Sequence, residues 1–202
     1  GELIRDYVVV CHGWMSPQHR SITARVYWGA GRCSTSRVFQ QGRPCRTRLK
    51  VLARATRGRE AFSFVAIRIA SGRQHQIRLH SAHVGHAALC DGRYGALATF
   101  LADGAWCERN FLHRYRIGFR DGSGCAREVM TPLAKDLARA LERISAVDDV
   151  SAEVLGQWSG CAGQRNWDDY EALQSSAARY QRAQRRPGAA ITPASSDRAP
   201  CV

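Results

Sequence analysis

One ten-residue run gathers most of the side chains able to do chemistry: Ser71-Gly72-Arg73-Gln74-His75-Gln76-Ile77-Arg78-Leu79-His80. Val84-Gly85-His86 and Cys90-Asp91-Gly92-Arg93-Tyr94-Gly95 follow closely. A glycine turn that opens a helix presents backbone N–H groups, and guanidiniums beside them favour a phosphate or a carboxylate. The same residues would also make a solvated polar face on a basic protein, and spacing alone leaves both readings open. Metal binding by His75, His80, His83 and His86 is not expected. No pair has a zincin spacing and no carboxylate accompanies them.

The elements that must position this run are legible in outline. Tyr7 to Trp14 reads as a strand close to full burial, and Ile22 to Trp28 as a second, ended by a turn at Gly29-Ala30-Gly31. Arg46 to Ala53 reads as a basic strand, and Phe62 to Ile69 alternates as a strand with one buried face. Gln74 to Val84 reads as a short helix stopped by Gly85. Phe111 to Phe119 and Arg127 to Met130 form a hairpin around Asp121-Gly122-Ser123-Gly124. Thr131 is expected to cap a helix with Pro132 in its first turn, and Leu133, Leu137, Leu141 and Ile144 make its apolar stripe. A last helix is expected over 166–183, with Asp168 and Asp169 at its start and Arg182, Arg185 and Arg186 at its end, followed by a disordered tail from Pro187.

Charge narrows the partner. The chain of 202 residues carries a net charge of +13. Through Ile144 there are 24 basic residues against 10 acidic ones, and after it 6 against 7, so the basic character belongs to the first part. Such a balance favours a polyanion, either nucleic acid or an anionic membrane surface. Only Lys50 and Lys135 are lysines. Arginine dominates, and its planar fork suits phosphate. Hydrophobic residues at 45% suffice for a core, and no run of apolar residues spans a bilayer. The eight cysteines include no C-x-x-C pair, so free thiols in a reducing, intracellular compartment are expected.

The central run resembles the G-R-T-H-Q-I-R-x-H … G-H-P … G-D-x-x-Y-G signature of the RluA-type RNA pseudouridine synthases. Gly42 to Leu52 is similar to that family's G-K-x-A-x-T-x-Y-x-V-L strand, and Asp6 to Gly13 to its K-x-Y-x-A-x-V-x-G strand. Downstream, Leu112-His113 matches the pair before the last hairpin, and Thr131-Pro132-Leu133 with Asp136 matches the closing A-P-L-x-x-D. The blocks stand in the family's order from about Tyr7 to Ile144.

The resemblance implies an α+β fold: a mixed, mainly antiparallel sheet with flanking helices and a basic cleft. It implies isomerisation of uridine to pseudouridine in rRNA or tRNA, with the target base flipped into a pocket and no metal or organic cofactor. By the same likeness, Tyr7 packs on the uracil and Arg78 pairs with the nucleophilic aspartate. Burial statistics alone would read Tyr7 as core. Arg46, Arg48, Lys50, Arg73, His75 and Gln76 are expected to contact RNA.

The family's H-R-L-D motif, which carries its aspartate, has no counterpart here, and no Arg-Leu-Asp tripeptide occurs in the chain. The expectation is therefore a catalytic domain over 1–145, incomplete at its N-terminus, with a C-terminal extension over 146–202. Arg78 is expected to lack its carboxylate partner, and the chain to be inactive alone. The alternative is a non-catalytic RNA-binding protein on the same scaffold. A monomer that binds RNA and no membrane is the default expectation.

Overall fold

A computed structural model describes residues 3–28 and 36–174. The turn expected at Gly29-Ala30-Gly31 and the tail from Pro187 lie outside the described residues.

Strands β1 (Ile4–His12), β2 (Ser21–Trp28), β3 (Ser36–Val38), β4 (Arg43–Arg57) and β5 (Glu60–Ile69) precede helices α1 (Gln76–His83) and α2 (Leu97–Gly104). Then come β6 (Leu112–Arg120), β7 (Ala126–Met130), α3 (Lys135–Leu141), β8 (Ser145–Ala146) and α4 (Asp149–Ser159). The strands form one sheet in the order β3-β2-β4-β5-β1-β6-β7, with β8 on β4. Every pairing among the described strands is antiparallel. The fold is α+β.

The strand read as close to full burial lies near the middle of the sheet, and β5 beside it, expected to bury one face, is buried on both because helices cover the sheet on each side. Val8, Val9, Val10 and Cys11 are wholly buried because β1 has strands on both edges and packing on both faces. The β4–β5 hairpin turns through Gly58-Arg59, where Gly58 takes φ +60° as a two-residue turn requires.

The period of two sorts side chains between two cores. Val8, Val10, Phe64 and Ala66 face Phe111, Tyr115 and Leu133, with Leu137 and Leu141 of α3 and Trp158 of α4. Val9, Cys11, Leu49, Val51, Val65 and Ile67 face the other way, toward Ile77 of α1. Helix α1 therefore sits on one face and helices α3 and α4 on the other.

Three elements depart from the sequence reading. Thr131 does not cap a helix: its N–H donates to the Tyr115 carbonyl, so 131–134 stay extended and α3 begins at Lys135 with Ala134 as its N-cap. The helix expected over 166–183 is only a 3₁₀ turn, Trp167–Asp169, where it is described. The Lys50 ammonium binds the carbonyls of Trp167, Asp168 and Tyr170, and Leu173 N–H donates to Val51, so the segment spends its backbone groups on β4. The remainder of that expected helix lies outside the described residues.

The sequence reading omitted α2 and α4. Helix α2 leaves Leu97 and Leu101 about two-thirds exposed and shows no single buried stripe. Helix α4 had a readable start, since the Asp148 carboxylate accepts the Ser151 N–H as its N-cap. No gap in packing falls at residue 145: β8 pairs with β4, and Trp158 stacks edge-on against Phe64 and Tyr115. No helix among the described residues is long and apolar enough to cross a membrane.

Candidate functional site

The turn after β5 and the start of α1 close a cleft of about 380 Å³ against the beginning of β1. Tyr7 and Arg5 come from β1, Arg73 from the turn, and His75, Ile77 and Arg78 from the helix. Arg5 and Tyr7 share a face because they are two residues apart on a strand. Its lining contains no acidic side chain. Among the described residues, Arg5 Nη1 and Arg73 Nε are buried without a hydrogen-bond partner, so two cationic donors at this cleft are unsatisfied.

Arg78 is not unpaired. Its Nε and Nη2 donate to Asp91 Oδ2 and Oδ1 at 2.7 and 2.5 Å, a bidentate fork whose carboxylate side chain is wholly buried. The expected missing partner is corrected by a residue of the Cys90–Gly95 block, which the turn after α1 folds back onto the helix. Burial alone would raise the Asp91 carboxyl, but the Arg78 guanidinium and the N–H groups of Arg93 and Tyr94 outweigh it and hold it below its ordinary value. Asp91 therefore stays ionised, and the Tyr94 ring lies 5.3 Å from the Arg78 guanidinium.

His75 begins α1 in the left-handed region, φ 54°, and its Nδ1 lies 3.0 Å from the Tyr94 hydroxyl. Burial, then Arg78 and Arg93, push its pKa down, so it is a neutral imidazole at pH 7.

Gln76 turns its amide toward the protein's own backbone and β4. It is buried, its Oε1 accepts Arg73 N–H, and both its N–H bonds go to β4, at the Arg46 carbonyl and Thr47 Oγ1. Thr47 Oγ1 in turn lies 2.9 Å from His80 Nδ1, and Cys45 Sγ 3.6 Å from His80 Nε2. Arg73, His75 and Arg78 of the run thus line the cleft, while Gln76, which also borders it, and His80 fasten the helix to the sheet.

Arg46, Arg48 and Lys50 are not at this cleft. They alternate with Cys45, Thr47 and Leu49, which lie under α1, so their side chains leave from the opposite face. Lys50 is committed to its three carbonyls and stands 4.1 Å from the centre of the Trp167 ring, and burial pushes its pKa down. The Lys50 ammonium thus spends its donors on the protein's own carbonyls. Arg48 lies over the same ring, while Arg46 is exposed and reaches Ser21.

The sequence reading missed Arg5, although its spacing from Tyr7 placed it. It also missed Asp6, which is wholly buried beneath the cleft floor and accepts from Arg68 and Arg116 at 2.7–2.9 Å. Asp6 and Tyr7 serve different partners because neighbours on a strand point to opposite faces, and the β1–β6 register shifts between them, leaving Tyr115 of β6 without an opposite residue.

Known proteins resemble the chain in both sequence and shape, although no family model matches it. Ribosomal large subunit pseudouridine synthase C of Salmonella typhi is 36% identical over 113 residues, 52% of this chain and 33% of that protein. The Escherichia coli K12 protein of the same name is 29% identical over 149 residues, 69% of this chain and 44% of its own length. The chain thus spans 33% to 44% of the length of these relatives. An uncharacterized RNA pseudouridine synthase of Bacillus subtilis is 28% identical over 141 residues, 69% of this chain and 44% of that protein. Human RNA pseudouridylate synthase domain containing 1 shares the fold, with a TM-score of 0.59 at 21% identity over 92% of this chain and 67% of that one. Motif order, aligned relatives that carry one kind of name, and a common fold agree, and the chain is similar to RNA pseudouridine synthases in sequence and in fold.

Proposed function

We propose that this cleft receives a flipped uridine of a structured RNA, rRNA or tRNA, and that the chain carries the uridine-binding part of a pseudouridine synthase site. The observation that carries the reading is the meeting of Tyr7 and Arg78 in one cleft whose only charged lining groups are arginines. Isomerisation breaks N1–C1′, turns the base and joins C5 to C1′, so the base must leave its stack and be held edge and face. The Tyr7 ring supplies an apolar face for the uracil and a hydroxyl for the proton at C5. Arg73 and Arg5 bring unsatisfied guanidinium donors for the flanking phosphates. Arg78, held rigid by Asp91, keeps Nη1 for an incoming anion.

The chemistry also needs a carboxylate at C1′. The family places it in an H-R-L-D run, and these 202 residues hold no Arg-Leu-Asp tripeptide. Asp91, buried and bound to Arg78 and two backbone N–H groups, is a structural counter-ion and no substitute. The second reading, an RNA-binding protein without catalysis, draws on this one feature.

Tritium release from C5-labelled uridine RNA separates the two. The expected result is no release from the 202-residue chain and release once a segment bearing the H-R-L-D motif is joined to it. Release that survives Tyr7→Ala and Arg78→Met in the joined protein would overturn the site. RNA binding without release in the joined protein would favour the non-catalytic reading.

A further inference from the structure

The cleft does not end at Arg73. Gly72, Arg73 and Gln74 form a wall with a hollow on each side, and the second hollow, about 460 Å³, runs to the end of β2. Its far side carries Trp28 and Arg43. Trp28 is two residues from the buried Val26, so both point to the face that α1 covers, the face of Tyr7 and Arg5. Trp28 is 40% exposed, a large area for tryptophan on a surface. The wall between the hollows is braced, because Ser36 Oγ of β3 donates to the Gln74 carbonyl. The charged side chains of both hollows are arginines alone: Arg5, Arg73 and Arg78 on one side, Arg43 and Arg73 on the other.

The neighbouring aromatic pair makes the contrast. Tyr27 and Phe39 meet edge to face, and the Arg37 guanidinium sits over both rings at 5.2 and 4.9 Å. Each ring thus has a cation from within the protein on one face, although Phe39 is as exposed as Trp28. Trp28 has no such cover among the described residues.

We propose that the strand continuing from the nucleotide in the cleft crosses the Gly72–Gln74 wall and stacks a base on the Trp28 indole, with Arg73 and Arg43 on the intervening phosphates. An arginine-lined groove that ends on an exposed aromatic ring is what single-stranded RNA requires, since every base offers a face to stack and every linkage a charge to neutralise. This rests on the reading that the cleft takes a uridine nucleotide. It adds a second subsite that tolerates any base and lengthens the bound RNA beyond the flipped residue.

The test is fluorescence anisotropy of the 202-residue chain with uridine-containing single-stranded RNAs of three and nine nucleotides. Trp28→Ala should weaken binding of the longer RNA by about tenfold and leave the shorter one unchanged, and Trp28→Phe should restore most of the loss. Tyr7→Ala should weaken both RNAs alike. Equal affinity of Trp28→Ala and the unaltered chain for the longer RNA, with Tyr7→Ala still weakening it, would overturn the second subsite alone and leave Trp28 to a partner of another class. Failure of the unaltered chain to bind either RNA would overturn the cleft reading and the subsite with it.

Discussion

Arg78 and Asp91, thirteen residues apart, are joined fork to fork, with Nε–Oδ2 at 2.7 Å and Nη2–Oδ1 at 2.5 Å. The pair ties α1 to the turn at Gly92–Gly95 and fixes the guanidinium at the cleft. It also means that the central arginine of the family signature is held in place by a residue of the chain's own second block.

Asp91→Asn should therefore destabilise the fold more than a surface substitution does. The change removes the carboxylate from a guanidinium that is about four-fifths buried and weakens the acceptor for two backbone N–H groups. A loss of about 3 kcal/mol is expected in chemical denaturation. A loss below about 1 kcal/mol would mean that the arginine is held by other contacts.

Lys50→Met should lower stability by about 1–2 kcal/mol while leaving RNA affinity unchanged, because three carbonyls lose a charged donor and no phosphate does. Comparison of denaturation midpoints with RNA titrations of the same variant checks this. A phosphate-binding lysine would give the reverse pattern.

Stability should fall as pH drops below about 6.5. Burial pushes the pKa of His80, and likewise of His113, below the ordinary 6.5, so the unfolded chain takes up protons that the folded chain refuses. Each such histidine adds a slope of up to about 1.4 kcal/mol per pH unit between 6.5 and its folded pKa. His80→Asn, which can keep the Thr47 bond, should reduce that slope in melts taken from pH 7 to pH 5. The Asp91 contribution has the same sign but begins lower, as pH falls below the ordinary carboxylate value of 3.8.

RNA affinity should fall steeply with salt, and Arg73→Gln should reduce the log–log slope by roughly one unit. Arg46→Gln, on the opposite face of the sheet, should leave the slope for a short RNA bound in the cleft unchanged. Equal effects of the two substitutions would show that both faces hold RNA.

The local pattern carried the central elements. Valines in a row marked β1 as buried on both faces, alternation marked β5, and Ser71-Gly72 with Gly85 bounded α1. The ordered motifs assign Tyr7 and Arg78 to one site, and both line the cleft. Even Arg5 was legible, since a period of two puts it on the face of Tyr7.

Tertiary structure decided the rest. Alternation said that Arg46, Arg48 and Lys50 share a face, but not which face α1 would cover, and only the docking of Gln76 and His80 on β4 settles that. Lys50 meets a carbonyl 117 residues away in the chain, and Arg68 meets Asp6 across 62. A periodic pattern records the environment each side chain needs, apolar or polar, because burial acts on one residue at a time. It does not record which charge answers which. Ion pairs depend on distances of a few ångströms, and those are set only when the sheet order and the turns have closed.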